Sequence, residues 1–81
     1  MKKTYEMLIE GLATDEYIRG RISGIIYALS GMPKKGYGWR VEADGRDWFL
    51  CFNATEVQKW SIVECIEKLY PKAFVGVREI G

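Results

Sequence analysis

The chain has 81 residues, the size of one small domain, and we treat residues 1–81 as a single unit. Twelve Lys and Arg against eleven Asp and Glu give a net charge of +1. This near-neutral charge excludes an acidic mimic of DNA. It also means that no strong electrostatic field attracts the chain to nucleic acid or to a membrane. The chain has no His, so it lacks the commonest metal ligand and general base.

The first two elements follow from hydrophobic periodicity. Residues 4–10 alternate apolar and polar side chains, which predicts a strand with Tyr5, Met7 and Ile9 on one face. Thr14 is a suitable N-cap for a helix over residues 15–30. The apolar stripe of that helix comprises Ile18, Ile22, Ile25, Ile26 and Leu29. Gly20 and Gly24 on the same helix suggest close approach of another backbone, from the second helix or a second chain.

A β-hairpin is predicted around Asp44-Gly45. Asp-Gly favours a two-residue type I′ turn, and the hairpin occupies about residues 37–52. Folding the chain there places Val41 opposite Trp48, Trp39 opposite Leu50, and Tyr37 opposite Phe52. Because side chains alternate, all three pairs lie on one face, which we expect to be buried.

The last two elements are a helix and a strand. Asn53 and Thr55 are both suitable N-caps for a helix over residues 55–70, which ends before Pro71. Its expected core stripe is Ile62, Cys65, Ile66 and Leu69, while Trp60 and Val63 fall off that stripe. A final strand is predicted over residues 73–80.

The element order β-α-β-β-α-β is that of the α+β ferredoxin-like plan. We therefore expect a four-stranded antiparallel sheet with both helices on one face. The helix-free face would carry a partly apolar set with charges of both signs: Glu6, Leu8, Arg40, Phe49, Cys51, Phe74, Arg78 and Ile80.

One short segment resembles a nucleic-acid motif. The residues from Lys35 to Trp39 resemble the RNP1 submotif of the RNA recognition motif family, and residues 40–42 depart from it. The resemblance implies aromatic side chains that stack on bases. The hairpin register instead places Tyr37 and Trp39 toward the helices, which favours two core aromatic residues after a loop glycine.

Catalytic, metal and membrane functions are disfavoured by elimination. Without His, a Ser or Cys nucleophile has no usual base. The loop over residues 10–14 lacks the Arg of acylphosphatases and the cysteines of heavy-metal domains. No apolar run approaches the roughly eighteen residues of a membrane span. We therefore expect a cytoplasmic, non-enzymatic domain without cofactor or metal, with Cys51 and Cys65 reduced.

Two functional hypotheses remain from different classes. The first is protein–protein recognition by a small regulator, including a phage-type inhibitor of host defence such as an anti-CRISPR protein, with a homodimer left open. Its candidate contact residues are Phe49, Arg40, Arg78, Phe74 and Trp60. The alternative is binding of RNA or single-stranded DNA on the open sheet face, through Lys34, Lys35, Arg40, Phe49 and Arg78. A small-molecule sensor is a weaker third hypothesis.

Overall fold

The computed structural model describes residues 1–12, 16–30, 40–41 and 47–81, without the side chains of residues 30, 40 and 41. The elements in chain order are β1 (Lys3–Glu10), α1 (Glu16–Ser30), β2 (Arg40–Val41), β3 (Trp48–Ala54), α2 (Glu56–Leu69) and β4 (Phe74–Glu79). They form a small α+β fold with two helices and an antiparallel sheet. Its long strands are β3, β1 and β4, and the two-residue β2 pairs with β3, giving the order β2-β3-β1-β4.

The strand register confirms part of the predicted hairpin. β1 is central and pairs antiparallel with both β3 and β4, so that Met7 lies opposite Leu50 and Val77. Val41 lies opposite Trp48, as the position of Asp-Gly predicts. The turn itself and the pairs made by Trp39 and Tyr37 fall outside the described residues.

The core lies between the sheet and the two helices. Side chains from β1, β3, α1 and α2 form one buried cluster, comprising Tyr5, Met7, Ile9, Ile22, Ile26, Trp48, Leu50, Phe52, Ala54, Ile62 and Ile66. The odd-numbered residues of β1 and the even-numbered residues of β3 enter this cluster, so both helices cover the same face. The predicted inward face of β3 is therefore confirmed.

The start of α2 is fixed by a capping box. The Thr55 hydroxyl accepts a hydrogen bond from the Gln58 backbone N–H at 3.2 Å, and Gln58 Oε1 accepts one from the Thr55 N–H at 2.9 Å. These reciprocal bonds satisfy two backbone donors that a helix start leaves unpaired. Asn53, the other predicted cap, lies in β3, where its Oδ1 accepts a hydrogen bond from the Thr4 hydroxyl at 2.8 Å.

Several packing predictions for the helices are wrong. Val63 is buried, because α2 packs against α1 as well as the sheet and its buried side is wider than one stripe. Leu29 and Leu69 lie near the helix ends and are 38% and 40% exposed. A Cβ built on Gly20 or Gly24 meets no described atom within 4 Å, so no described backbone of this chain approaches them closely, and a contact with a second chain stays a prediction.

Candidate interaction surface on the helix-free sheet face

The side of the sheet opposite the helices presents a mixed surface, which we call the open face. The strand registers place alternate side chains of β1, β3 and β4 on it, and we define it by Glu6, Leu8, Phe49, Cys51, Phe74, Gly76 and Arg78. These residues belong together because directly opposed residues of antiparallel strands point to the same side. The register agrees with the predicted content of this face at each of these positions except Gly76, which was not among the predicted residues.

A groove of about 370 Å³ lies on the open face and is lined by Glu6, Leu8, Phe49, Gly76, Val77 and Arg78. Leu8 lies at its middle, because it is opposite Phe49 on β3 and opposite Gly76 on β4. The groove exists where β4 presents a glycine rather than a side chain. It thus combines an apolar floor with one carboxylate and one guanidinium.

Gly76 also accommodates the ring of Phe74. A Cβ added at Gly76 would lie 3.1 Å from Cε1 of Phe74, which is closer than ordinary van der Waals contact. The Phe74 ring therefore extends along β4 over the glycine, and the side chain is 60% exposed. A glycine inside a strand commonly marks such a close approach, and this was the sequence signal that could have identified the position.

An ion pair crosses the open face from β4 to β1. Arg78 donates to Oε1 of Glu6 from Nε at 3.0 Å and from Nη2 at 2.9 Å. The Glu6 side chain is only 18% exposed, whereas that of Arg78 is 73% exposed. The carboxylate therefore lies in the face and holds the more exposed cation against it, which leaves this part of the surface close to neutral.

Thr4 and Cys51 are covered although they lie on the open-face side of their strands. Thr4 is 6% exposed and Cys51 is 9% exposed. Cys51 and Cys65 do not form a disulfide. The accessible part of the open face is consequently its centre and its β4 side, where Phe49, Phe74 and Arg78 lie.

The remaining predicted site residues do not all join this surface. The backbone of Arg40 is opposite Phe49, but its side chain is outside the description, as are Lys34 and Lys35. Trp60 is 58% exposed, as expected for a residue off the core stripe. Nζ of Lys59 lies 4.3 Å from the centroid of the Trp60 ring. Because α2 covers the opposite side of the sheet, Trp60 forms a separate surface from Phe49.

Two properties of the described ranges bear on metal binding and on membranes. In residues 1–12, 16–30, 40–41 and 47–81, no three His, Cys, Asp or Glu side chains are grouped so as to hold a metal ion. Neither of the described helices has the length and apolar character needed to cross a bilayer.

The chain is similar to known proteins in its structure. No family model and no curated protein matches the sequence. An uncharacterized protein of Thermotoga maritima superposes with a TM-score of 0.66 at 10% identity, over 100% of both chains. A "putative PII-like signaling protein" of Thermus thermophilus superposes with a TM-score of 0.63 at 14% identity, over 99% of this chain and 87% of its own. At such low identities these similarities show the fold alone.

Proposed function

We propose that this chain is a small, non-catalytic regulatory domain that recognises a partner protein through its open face. The observation that carries the proposal is the groove between Leu8, Phe49 and Gly76, open to solvent and crossed by a neutralised ion pair. We also propose that the sheet is completed as the four-stranded ferredoxin-like sheet, with β2 as its outer strand.

The chemistry of the open face suits a protein partner. Leu8, Phe49 and Phe74 provide apolar and aromatic surface, which is enriched at the centres of protein interfaces. The Arg78–Glu6 pair provides both a donor and an acceptor for polar groups at the rim. A volume of about 370 Å³ is near the lower limit of small-molecule sites, and the shallow shape suits a single inserted side chain better than an enclosed ligand.

The regulatory part of the proposal is supported by the PII-like neighbour, which is described as a signaling protein. A phage-type inhibitor of host defence is a narrower version of the same function. The comparisons give it no support, so the proposal stops at a regulator.

The charges of the open face argue against nucleic acid as the ligand. Glu6 holds Arg78 at 2.9 Å, and Glu10 lies at the end of the same strand face. Glu6 thus occupies the Arg78 guanidinium and Glu10 repels phosphates, whereas phosphate contacts dominate nucleic-acid affinity. Among the residues named for that alternative, only Phe49 and Arg78 have described side chains, and the latter is already paired.

Affinity capture with matched variants tests the proposal. The tagged chain is incubated with lysate of the cells that express it, alongside Phe49→Ala on the open face and Tyr17→Ser on α1, where Tyr17 is 70% exposed. Loss of an interface hot spot costs at least about 2 kcal/mol, or roughly thirtyfold in affinity. We expect the wild type and Tyr17→Ser to retain the same stoichiometric protein and Phe49→Ala to lose it.

Two outcomes would overturn the proposal. One is equal recovery of the partner by Phe49→Ala, with circular dichroism showing that all three proteins are folded. The other is recovery of nucleic acid without a stoichiometric protein.

A further inference from the structure

The outer edge of β4 is a second candidate interaction surface, separate from the groove of the open face. β4 pairs with β1 on one side, and no described strand pairs with its other side. Edge strands are usually protected by Lys, Pro, a bulge or a covering segment. The first four residues of β4, Phe74 to Val77, contain neither a charge nor a proline.

The backbone of β4 has hydrogen-bonding groups directed outward at two apolar positions. The Ile80 N–H donates to the Thr4 carbonyl at 2.9 Å, so Ile80 faces β1. Because this pattern alternates along an antiparallel strand, Val75 and Val77 direct their N–H and C=O groups to the outer edge. No described backbone group bonds to them there.

The side chains of the same two valines are also incompletely covered. Val75 and Val77 lie on the helix side of the sheet and pack against the core, yet both remain partly exposed. Met7, which pairs with Val77 from the central strand, is 0% exposed. A further strand beside β4 would cover the two valines as β4 covers Met7.

We propose that two copies of this chain pair antiparallel along β4, around a two-fold axis at Gly76, to form one continuous sheet. In this register Val75 of each copy lies opposite Val77 of the other. Both valines have outward N–H and C=O groups, so the pairing makes four hydrogen bonds between the copies. The two helix layers then lie on one side of the joined sheet and the two open faces on the other.

Side-chain complementarity selects this register over its neighbours. When Gly76 of one copy lies opposite Gly76 of the other, Phe74 of each copy lies opposite Arg78 of its partner. The contact of a guanidinium with an aromatic ring is favourable. Sliding one copy along the other in one direction places Val75 opposite Glu79. Sliding it in the opposite direction places Arg78 opposite Lys72, which are like charges. Only the Gly76-centred register places both valines opposite valines and avoids opposing like charges.

The length of β4 sets the expected strength of the dimer. A six-residue edge is short, and standard stable interfaces bury about 1,200–2,000 Å². We therefore expect reversible dimerisation that depends on protein concentration. This inference does not rest on the proposed function, because it concerns the β4 edge and a second copy rather than the groove and another protein.

Cysteine cross-linking tests the register. In the proposed dimer, residue 76 of one copy is directly opposite residue 76 of the other in a non-hydrogen-bonded pair, which is close to disulfide geometry. The two copies of residue 78 are separated by about 13 Å. With oxidised glutathione, we expect Gly76→Cys to cross-link at least tenfold faster than Arg78→Cys or the wild type, whose native thiols serve as background.

Sedimentation velocity of unmodified and edge variants provides the second test. Val77→Pro removes an outward N–H and leaves the β1 ladder intact, as is tolerated on edge strands. We expect it to remain monomeric at concentrations where the wild type and Tyr17→Ser dimerise, with an unchanged far-ultraviolet spectrum. A wild type that is monomeric throughout, a folded Val77→Pro that still dimerises, or equal cross-linking at positions 76 and 78 would each overturn the proposal.

Discussion

Replacing Gly20 and Gly24 with alanine should stabilise the protein. Both lie inside α1, and a Cβ at either position meets no described atom within 4 Å. An interior helical glycine costs about 1 kcal/mol relative to alanine, so the double variant should gain roughly 1.5–2 kcal/mol. For a domain of 81 residues, each kcal/mol corresponds to about 4–8 °C in melting temperature.

Urea unfolding measures this gain directly. The midpoint should rise with an unchanged dependence on urea, since neither substitution alters the surface exposed on unfolding. Gly11→Ala is the matched control. Gly11 has a φ of +79°, which alanine adopts at a cost of about 1 kcal/mol or more, so this variant should be destabilised. If Gly20→Ala and Gly24→Ala destabilise the chain instead, their side of α1 meets another backbone in solution. A loss of dimerisation by the double variant would assign that contact to a second copy.

Three other predictions have defined outcomes. Thr55→Ala removes the capping box and should cost about 1 kcal/mol in urea unfolding, whereas Ser61→Ala, which loses only an exposed hydroxyl bond within its own helix, should be neutral. Ile66→Ala empties a fully buried position and should cost about 2–5 kcal/mol by the same assay. The hydrogen bond to Glu79, and then its negative charge, raise the pKa of Lys3. That pair therefore stabilises the fold below the ordinary lysine pKa of about 10.4, and its contribution is lost as pH rises above it. The free energy of unfolding, measured below and above that pH, should fall slightly at the higher pH for the wild type. Lys3→Met should not show this pH-dependent fall.

The sequence was most informative where one local signal had one structural solution. The alternation of Tyr5, Met7 and Ile9 admits a single buried face, and the register confirms it. The position of Asp44-Gly45 in the sequence predicted Val41 opposite Trp48, because the spacing across a two-residue turn determines every pair that follows, and the register confirms that pair. The sequence left two candidates for the N-cap of α2, Asn53 and Thr55. The reciprocal hydrogen bonds with Gln58 identify Thr55 as the N-cap.

The errors arose where packing depends on a neighbour that the sequence does not identify. Val63 was placed off the core stripe because a single stripe was assumed, whereas α2 has both the sheet and α1 beside it. Gly20 and Gly24 suggested a close contact, yet the described structure leaves them open. The groove was not anticipated, because it depends on Gly76 lying beside Leu8 across two strands distant in sequence.

β4 connects the two proposed surfaces through its alternation. Phe74, Gly76 and Arg78 face the open side, while Val75 and Val77 carry the outward backbone groups. Pairing along the edge therefore leaves the groove accessible and places two grooves on the same face, related by the axis through Gly76. A partner that binds both grooves at once gains from the higher effective concentration of the second site. The two interactions are thus cooperative in the assembly, and Val75→Pro, at an edge position that does not line the groove, should weaken the capture of such a partner.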